Sequence, residues 1–503
     1  MSHTQQDVAD PVDQEQIIPA PNVDRIEVEP VNKKEERSLY KKREPIYPKR
    51  AKGLIRKIKW WVMGITLGIY YITPWLRWER AGSAPDQAVL IDFPGRRFYF
   101  FFIEIWPQEV YYITGLLILA GIGLFLVTSV AGRVWCGYTC PQTVWVDLYI
   151  AVERFFEGDR NARIKLASAP FSFSKLAKKV GKHVVWLLIA IATGGAWVFY
   201  FADAPTLLTQ IFSFDAPMVA YTSIGLLAFT TYLLGGFARE QVCTYMCPWP
   251  RIQAAMVDEE SLNVSYRVDR GEPRAPHKKG ESWDGRGDCV QCRQCVAVCP
   301  MGIDIRDGAQ LECIHCGLCI DACNEVMEKV NRPKWLIAYD TDGNIARRAK
   351  GLPEKYRPIR TRTVSYSLIL LLVGAIMLYA LLNRENLDVN VLRDRNPYFV
   401  LLSDGSIRNG YTVKLLNKQH KSVDFVLSIE GLTDSTIKVI GIDHYDTSGN
   451  PIVNVAADSL RSLRVYVSTP RVHVGKDSMG VNFKAKEVGG PAEAIQHTTF
   501  KGP

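Results

Sequence analysis

Cysteine is the residue whose spacing carries the most chemical information in this chain. Eight of the twelve cysteines form two runs, Cys289-x2-Cys292-x2-Cys295-x3-Cys299-Pro300 and Cys313-x2-Cys316-x2-Cys319-x3-Cys323. In two-cluster ferredoxins, three closely spaced cysteines bind one cluster and the fourth binds the other. We therefore predict two [4Fe-4S] clusters, the first held by Cys289, Cys292, Cys295 and Cys323 and the second by Cys313, Cys316, Cys319 and Cys299.

Zinc sites and disulfides are the alternative uses of these eight cysteines. Zinc ribbons also use Cys-x2-Cys, but the interleaved register of the two runs is poor zinc-ribbon spacing. Disulfides are rare in the cytoplasm, where we place this segment below. Iron–sulfur clusters are the interpretation that the spacing favours.

The other four cysteines form a duplicated motif, Cys136-x3-Cys140-Pro141 and Cys243-x3-Cys247-Pro248. A helix would bring both thiols of a motif to one face. Proline at the first turn of a following helix would instead leave them in the preceding turn. Free cysteine often only packs in apolar surroundings, but the duplication favours a shared site for a soft metal, which is Cu(I), zinc or an iron–sulfur cluster. We predict a copper or third metal site at Cys136, Cys140, Cys243 and Cys247.

Other cofactor motifs are missing from the sequence. It contains no Gly-x-Gly-x-x-Gly after a strand, no phosphate-binding Gly-x4-Gly-Lys-Ser/Thr and no Cys-x-x-Cys-His. These motifs mark nicotinamide, ATP and covalent haem sites, so we expect none of them. The sequence identifies neither a catalytic residue nor the electron donor.

Apolar runs must position the cysteine motifs. Five are long enough to cross a hydrocarbon layer that needs roughly 20 helical residues, at about 57–76, 110–131, 183–202, 217–236 and 364–383. Nine Lys and Arg residues lie in 132–182, whereas 203–216 contain none, which places the former in the cytoplasm. We read the net charge of +9 as this topology signal rather than as a nucleic-acid surface.

These runs divide the chain into five parts. Residues 1–50 are polar, contain no signal peptide and predict a disordered cytoplasmic tail. Transmembrane helices 1–4 occupy 51–236 as two hairpins that end in the duplicated motif, and a cytoplasmic ferredoxin domain occupies 237–363. A fifth transmembrane helix spans 364–383. Alternating runs at 411–416, 423–429 and 463–467 predict a small antiparallel sandwich in 395–503, on the opposite side of the membrane. The predicted fold class is a multidomain membrane protein.

The order of these parts resembles one family. Paired hairpins ending in Cys136-x3-Cys140-Pro141 and Cys243-x3-Cys247-Pro248 precede the eight-cysteine run, a further span and an external sandwich. This layout is similar to the CcoG/FixG/RdxA family of cbb3-type cytochrome c oxidase accessory proteins, over nearly the whole chain after about residue 40. The resemblance implies a five-helix bundle with an inserted α+β two-cluster ferredoxin domain and an immunoglobulin-like sandwich in the periplasm of a bacterial inner membrane.

The resemblance also implies a function. A family member would reduce Cu(II) to Cu(I) during oxidase assembly, with assembly factors and a copper exporter or copper chaperone as partners. Two rival functions stay open at this stage. One is a quinol-linked electron donor to a respiratory reductase, and the other is an assembly scaffold whose clusters only stabilise the fold.

Overall fold

The computed structural model describes residues 23, 25–32, 44–80, 84–278, 280–475 and 478–502. They form two units, which are the described parts of Met1–Arg77 with Gln87–Ala375 and of Trp78–Asp86 with Ile376–Pro503. All twelve cysteines lie in the first unit. The second unit contains the C-terminal strands.

Four helices of the described chain are long and apolar enough to cross a membrane, at Pro107–Ala131, Phe173–Val198, Met218–Ala238 and Thr361–Leu382. They coincide with the second to fifth predicted spans. The third begins about ten residues earlier than predicted, because the Ser172 side chain accepts a hydrogen bond from the Lys175 N–H and caps the helix there.

The predicted first span is helical over Leu54–Ile72, but its first turns contain Arg56, Lys57 and Lys59, and it does not meet the same apolar standard. Arg56 and Lys59 are buried and both pair with Asp147, at 2.9 and 3.2 Å. These charges therefore face protein rather than solvent. The structure supports four spanning helices, and the fifth remains a prediction.

Shorter elements connect these helices on the N-terminal side. A three-stranded antiparallel sheet consists of Val89–Asp92, Arg97–Phe100 and Ile103–Ile105. The connecting helices are Val134–Tyr138, Pro141–Glu157, Arg160–Ser168 and Ala204–Ser213. Residues Tyr232–Ala238 and Val242–Met246 are π-helical.

The ferredoxin segment mixes short helices with one pair of strands, as predicted. Strands Asn263–Tyr266 and Ile337–Asp340 are antiparallel. The helices are Trp249–Met256, Val268–Gly271, Gln294–Ala297, Leu318–Lys329 and Asp342–Ala349. Buried apolar residues such as Ile320, Met327 and Leu336 form its core around the cysteines.

The prediction of a disordered tail for residues 1–50 is wrong for the parts that the structure describes, and the rest lies outside the described residues. The Ile26 N–H donates to the Cys292 carbonyl oxygen, the Asn32 N–H to Gly302 and the Lys49 N–H to Ala297. Polar composition misled the prediction, because these segments are fixed by backbone hydrogen bonds to the ferredoxin segment and by single apolar side chains, Val23 and Val28, that pack on its core.

The C-terminal unit is the predicted sandwich. One sheet has the order Thr436–Val439, Ser459–Pro470, Ser406–Asn417, Leu387–Arg393, with Val400–Leu401 also paired to Ser406–Asn417. The other has the order Ile452–Val455, Val423–Glu430, Ser478–Glu487, Glu493–Lys501. Alternate residues such as Tyr411, Phe425 and Phe483 are fully buried between the sheets, which explains the period-two pattern in the sequence.

Candidate metal centres

The second predicted cluster set lines one cavity. Cys299, Cys313, Cys316 and Cys319 surround a cavity of about 20 Å³ together with apolar residues such as Ile303 and Leu318. Cys319 lies in the first turn of helix Leu318–Lys329, and Cys313 and Cys316 lie in the loop before it. The sequence spacing and the fold therefore bring the same four thiols together.

The first predicted set lines a neighbouring cavity. Cys289, Cys292, Cys295 and Cys323 border a cavity of about 20 Å³. Cys295 also borders the other cavity, so the two spaces are adjacent. Cys323 belongs to the second cysteine run but lines the cavity of the first run. Cys299 belongs to the first run but lines the cavity of the second run. The spacing predicts this exchange of the fourth cysteine.

The loops that carry the cysteines share an unusual backbone. The residues before and after the middle cysteine of each run have φ between 51° and 71°: Gln291, Arg293, His315 and Gly317. Three of the four are not glycine, so this left-handed conformation costs energy that the surrounding structure must offset. It winds each loop tightly enough for three cysteines to reach one cavity.

The chemistry of the lining fits an iron–sulfur cluster. Burial raises the pKa of both the Cys299 and Cys313 thiols to about 12. Thiolates are the ligands of such clusters, and buried thiolates of this kind are stable only beside a bound cation. A [4Fe-4S] cluster requires thiols in an apolar cavity without competing carboxylates, and both cavities provide this environment. The eight cysteines would hold two such clusters.

The four remaining cysteines also meet at one cavity. Cys136, Cys140, Cys243 and Cys247 line a cavity of about 150 Å³. Burial, reinforced by the neighbouring thiols, raises the pKa of Cys136 and Cys243 to about 12. The structure therefore brings all four predicted ligands together, although their role as ligands stays a prediction.

Each motif combines the two geometries that the sequence left open. Cys136 lies in the short helix Val134–Tyr138, and Cys140 caps the helix that begins at Pro141. Cys243 lies in the π-helical turn, Cys247 ends that turn, and Pro248 is the cap of the next helix. The first cysteine is helical in both motifs and the second lies at a helix boundary.

Hydrogen bonds join the two hairpins at this cavity. The Gln142 side-chain amide donates to the Leu234 and Arg239 carbonyl oxygens, at 2.9 and 3.2 Å. The Cys136 thiol donates to Gln253 Oε1 at 3.2 Å. The position of the four thiols is thus fixed by contacts that cross from one hairpin to the other.

The four-cysteine cavity adjoins the second cluster cavity. Ile314 lines both. A Cβ on Gly137 would lie 2.7 Å from the Ile314 carbonyl oxygen and 3.0 Å from Cys316 Cα, so only glycine permits this approach. The hairpin turn that carries Cys136 therefore packs directly on the loop that carries Cys313 and Cys316.

Arg133 strengthens this contact, and sequence reasoning missed it. Its backbone N–H donates to His315 Nδ1 at 3.1 Å, and its buried guanidinium donates to the Cys313 and Pro250 carbonyl oxygens at 3.2 and 2.7 Å. An arginine precedes each motif in the sequence, Arg133 and Arg239, and this repetition could have indicated a structural role. Tyr138 adds a further link, because its hydroxyl lies 2.9 Å from that of Tyr339.

The second arginine, Arg239, holds the other motif through a buried ion cluster. It pairs with Glu153 at 2.5 Å and lies over the Trp186 ring. Glu153 also pairs with the buried Arg163 and, at 3.6 Å, with Lys182. Arg239 has φ 42°, a strained conformation for a residue with a side chain, and these ion pairs hold it there.

Comparison with known proteins agrees with this organisation. Residues 238–342 match the family model "4Fe-4S dicluster domain", 113–157 match "4Fe-4S binding domain", and 377–503 match the "IG-like fold at C-terminal of FixG". The chain is 51% identical to nitrogen fixation protein FixG of Rhizobium meliloti, covering 96% of this chain and 97% of that protein. It is 54% identical to protein RdxB and 50% identical to protein RdxA of Cereibacter sphaeroides, each over 86% of this chain and over 90% and 91% of the relative.

Fold and site together define an iron–sulfur protein with ferredoxin-type 4Fe-4S domains, four apolar helices and a C-terminal immunoglobulin-like domain. These features suit an oxidoreductase that handles single electrons. The chain belongs to the CcoG/FixG/RdxA family.

Proposed function

We propose that this protein is a membrane-bound electron-transfer protein that reduces Cu(II) to Cu(I) for assembly of a cbb3-type cytochrome c oxidase. The observation that carries the proposal is the contact at Gly137, where a backbone turn of the four-cysteine cavity touches the ligand loop of the second cluster cavity. The turn that carries Cys136 thus packs on the loop that carries Cys313 and Cys316, two of the predicted ligands of the second cluster. Thiolates favour Cu(I) over Cu(II), so this cavity is a suitable place for the reduction.

The electron balance is one electron for each copper ion. A reduced low-potential iron–sulfur or flavin protein supplies the electron, and Cu(II) accepts it at or beside the four-cysteine cavity. The [4Fe-4S] clusters, when bound, supply one-electron transfer between donor and copper. The residues of the chain hold the centres: eight cysteines bind the clusters, Gly137 allows the close approach, and Arg133 fixes the two loops to each other.

The same proposal assigns a topology. Leu54–Ile72 would be a fifth spanning helix, since its charged residues occupy only its first turns and the rest is apolar. In this topology the N-terminus and the ferredoxin segment lie in the cytoplasm at a bacterial inner membrane, and the immunoglobulin-like unit lies in the periplasm. The nine positive residues at 132–182 support this orientation. Copper exporters or copper chaperones, and oxidase assembly factors, are the partners that this arrangement suits.

A Cu(I)-specific chelator tests the function. Anaerobically purified, dithionite-reduced and desalted protein is mixed with Cu(II), and the native chain is compared with Cys136→Ser plus Cys243→Ser. Tyr245→Phe, in the same turn as Cys243, is the control because Tyr245 is exposed. We expect stoichiometric Cu(I) from the native and control proteins and at least a tenfold slower reaction from the double variant with its ferredoxin clusters intact.

Other results would replace the proposal. If native protein leaves Cu(II) unreduced but its clusters accept electrons from a quinol, the chain is a quinol-linked electron donor. If neither reaction occurs and only deletion of residues 395–503 impairs oxidase assembly in cells, it is a scaffold.

A further inference from the structure

The segment that joins helices Pro141–Glu157 and Phe173–Val198 has a one-sided charge. Residues 160–182 contain seven Lys and Arg residues and no Asp or Glu. We propose that this basic segment, residues 160–182, binds the headgroups of acidic phospholipids and so holds the ferredoxin segment against the membrane. The inference rests on the proposed placement of helix Phe173–Val198 in a membrane, and it does not require copper reduction.

Exposed phenylalanines accompany the basic residues. Phe171 and Phe173 are 81% and 82% exposed, and Phe155, just before the basic segment, is 83% exposed. Aromatic rings beside Lys and Arg are typical of segments that lie in a lipid interface. These side chains therefore indicate an apolar environment that the described residues do not supply.

The length of helix Phe173–Val198 places these rings at the level of lipid headgroups. Trp197, near the other end of the helix, is 47% exposed, and exposed tryptophan is enriched at membrane interfaces. A helix rises about 1.5 Å per residue, so Phe173 lies about 36 Å from Trp197 along the axis. Because the hydrocarbon layer is about 30 Å thick, Phe173 lies about 6 Å beyond its edge, within the headgroup layer.

Two lysines of the basic segment are available to an anionic headgroup. Lys165 and Lys178 are exposed, and neither forms an ion pair with a described residue. Acidic residues just before the segment do not offset them, since Glu153 and Glu157 are buried in ion pairs and Asp159 accepts a backbone hydrogen bond. The basic charge therefore faces outward, as in segments that bind acidic lipid.

Contacts on the inner side of the basic segment lead to the ferredoxin segment. The Arg160 guanidinium donates to the Tyr47 carbonyl oxygen at 2.7 Å. Two residues further on, the Lys49 N–H and ammonium donate to helix Gln294–Ala297, at 2.7 and 3.0 Å. This helix carries Cys295, so acidic lipid on the basic segment would stabilise the contact between a predicted cluster ligand and the membrane helices.

Lipid binding by detergent-solubilised, full-length protein tests the proposal. Native mass spectrometry measures the affinity for phosphatidylglycerol and for phosphatidylcholine from a titration with each lipid. Each basic residue at a lipid surface contributes about fivefold to the affinity for acidic lipid, so Lys165→Gln plus Lys178→Gln should bind phosphatidylglycerol about thirtyfold more weakly. Lys278→Gln plus Lys329→Gln is the control, because these exposed lysines of the ferredoxin segment give the same change of charge.

Amide hydrogen exchange of the native protein in nanodiscs requires no variant. Adding phosphatidylglycerol to phosphatidylcholine discs should slow exchange at 160–168 and at 44–50. Equal exchange in both discs, or equal affinity for the two lipids, would overturn the proposal. Displacement of phosphatidylglycerol by inorganic phosphate at the same concentration would also overturn it, because a simple phosphate site would then account for the binding.

The results for lipid and for copper are separate. Preference for phosphatidylglycerol without any reduction of Cu(II) would confirm the lipid surface and refute the proposed function. Reduction of Cu(II) by native protein that shows no lipid preference would refute the lipid surface and leave the proposed function standing.

Discussion

Gly137→Ala tests the contact on which the proposed electron path depends. The added Cβ would lie 2.7 Å from the Ile314 carbonyl oxygen, and ordinary contact begins at 3.4 Å, so the two loops must separate by about 0.7 Å. The obstacle is backbone on both sides and cannot rotate away. Overpacking of this kind costs about 1–3 kcal/mol, and we expect a lower melting temperature and slower reduction of Cu(II).

The matched control is Gly123→Ala. Gly123 lies in the preceding helix and a Cβ there would meet no atom within 4 Å. Thermal unfolding in detergent, followed by loss of cluster absorbance, measures stability, and the chelator assay measures the rate. Each kcal/mol corresponds to roughly 2–4 °C in a large domain. If Gly137→Ala matched Gly123→Ala in both assays, the close packing of hairpin and cluster loop would be refuted.

Three further predictions concern the scaffold around the centres. Glu153→Gln leaves buried cations without their counter-charge and should lower the free energy of unfolding by about 3–5 kcal/mol. Glu325→Gln, in an exposed pair, should lower it by at most about 1 kcal/mol. Equal melting temperatures of the two variants would contradict this prediction. Asp321→Ala removes the carboxylate that accepts the Ile55 and Arg56 N–H groups, so their hydrogen exchange should accelerate, in line with a cap worth about 0.5–2 kcal/mol. Burial alone would raise the Asp203 pKa, but hydrogen bonds from Thr206 and Arg77 hold that pKa below its usual value. The ionised Asp203 therefore stabilises helix Ala204–Ser213, and this stabilisation should be lost as pH falls through the lowered pKa. Asp203→Asn should abolish this difference in amide exchange between neutral and acidic pH, and an unchanged pH profile would contradict the assignment.

The sequence predicted the centres better than the contacts between them. Cys-x2-Cys-x2-Cys-x3-Cys spacing constrains the local loop so tightly that the four thiols of each predicted set line one cavity. Alternation in 411–416 and 463–467 predicts strands because every second residue faces the core. The meeting of the four hairpin thiols was predicted from duplication alone.

Long-range contacts were not predictable in the same way. Nothing in the sequence pairs Gly137 with Ile314 or Arg133 with His315, since these residues are more than 170 positions apart. The buried charges of the first helix were not predictable either, because Arg56 and Lys59 pair with Asp147 from another helix. The N-terminal segments were misjudged because backbone hydrogen bonds leave no pattern in composition.

The rate at which Cu(II) reoxidises the ferredoxin clusters shows whether electrons leave through the four-cysteine cavity. Fully reduced protein is mixed anaerobically with one equivalent of Cu(II) in a stopped-flow instrument, and cluster absorbance is followed in native protein and in Cys136→Ser plus Cys243→Ser. If the four-cysteine cavity is the electron exit, native clusters reoxidise rapidly and the variant at least tenfold more slowly. Reoxidation of the variant at the native rate would mean that copper takes its electrons directly from the ferredoxin segment, and it would contradict the account.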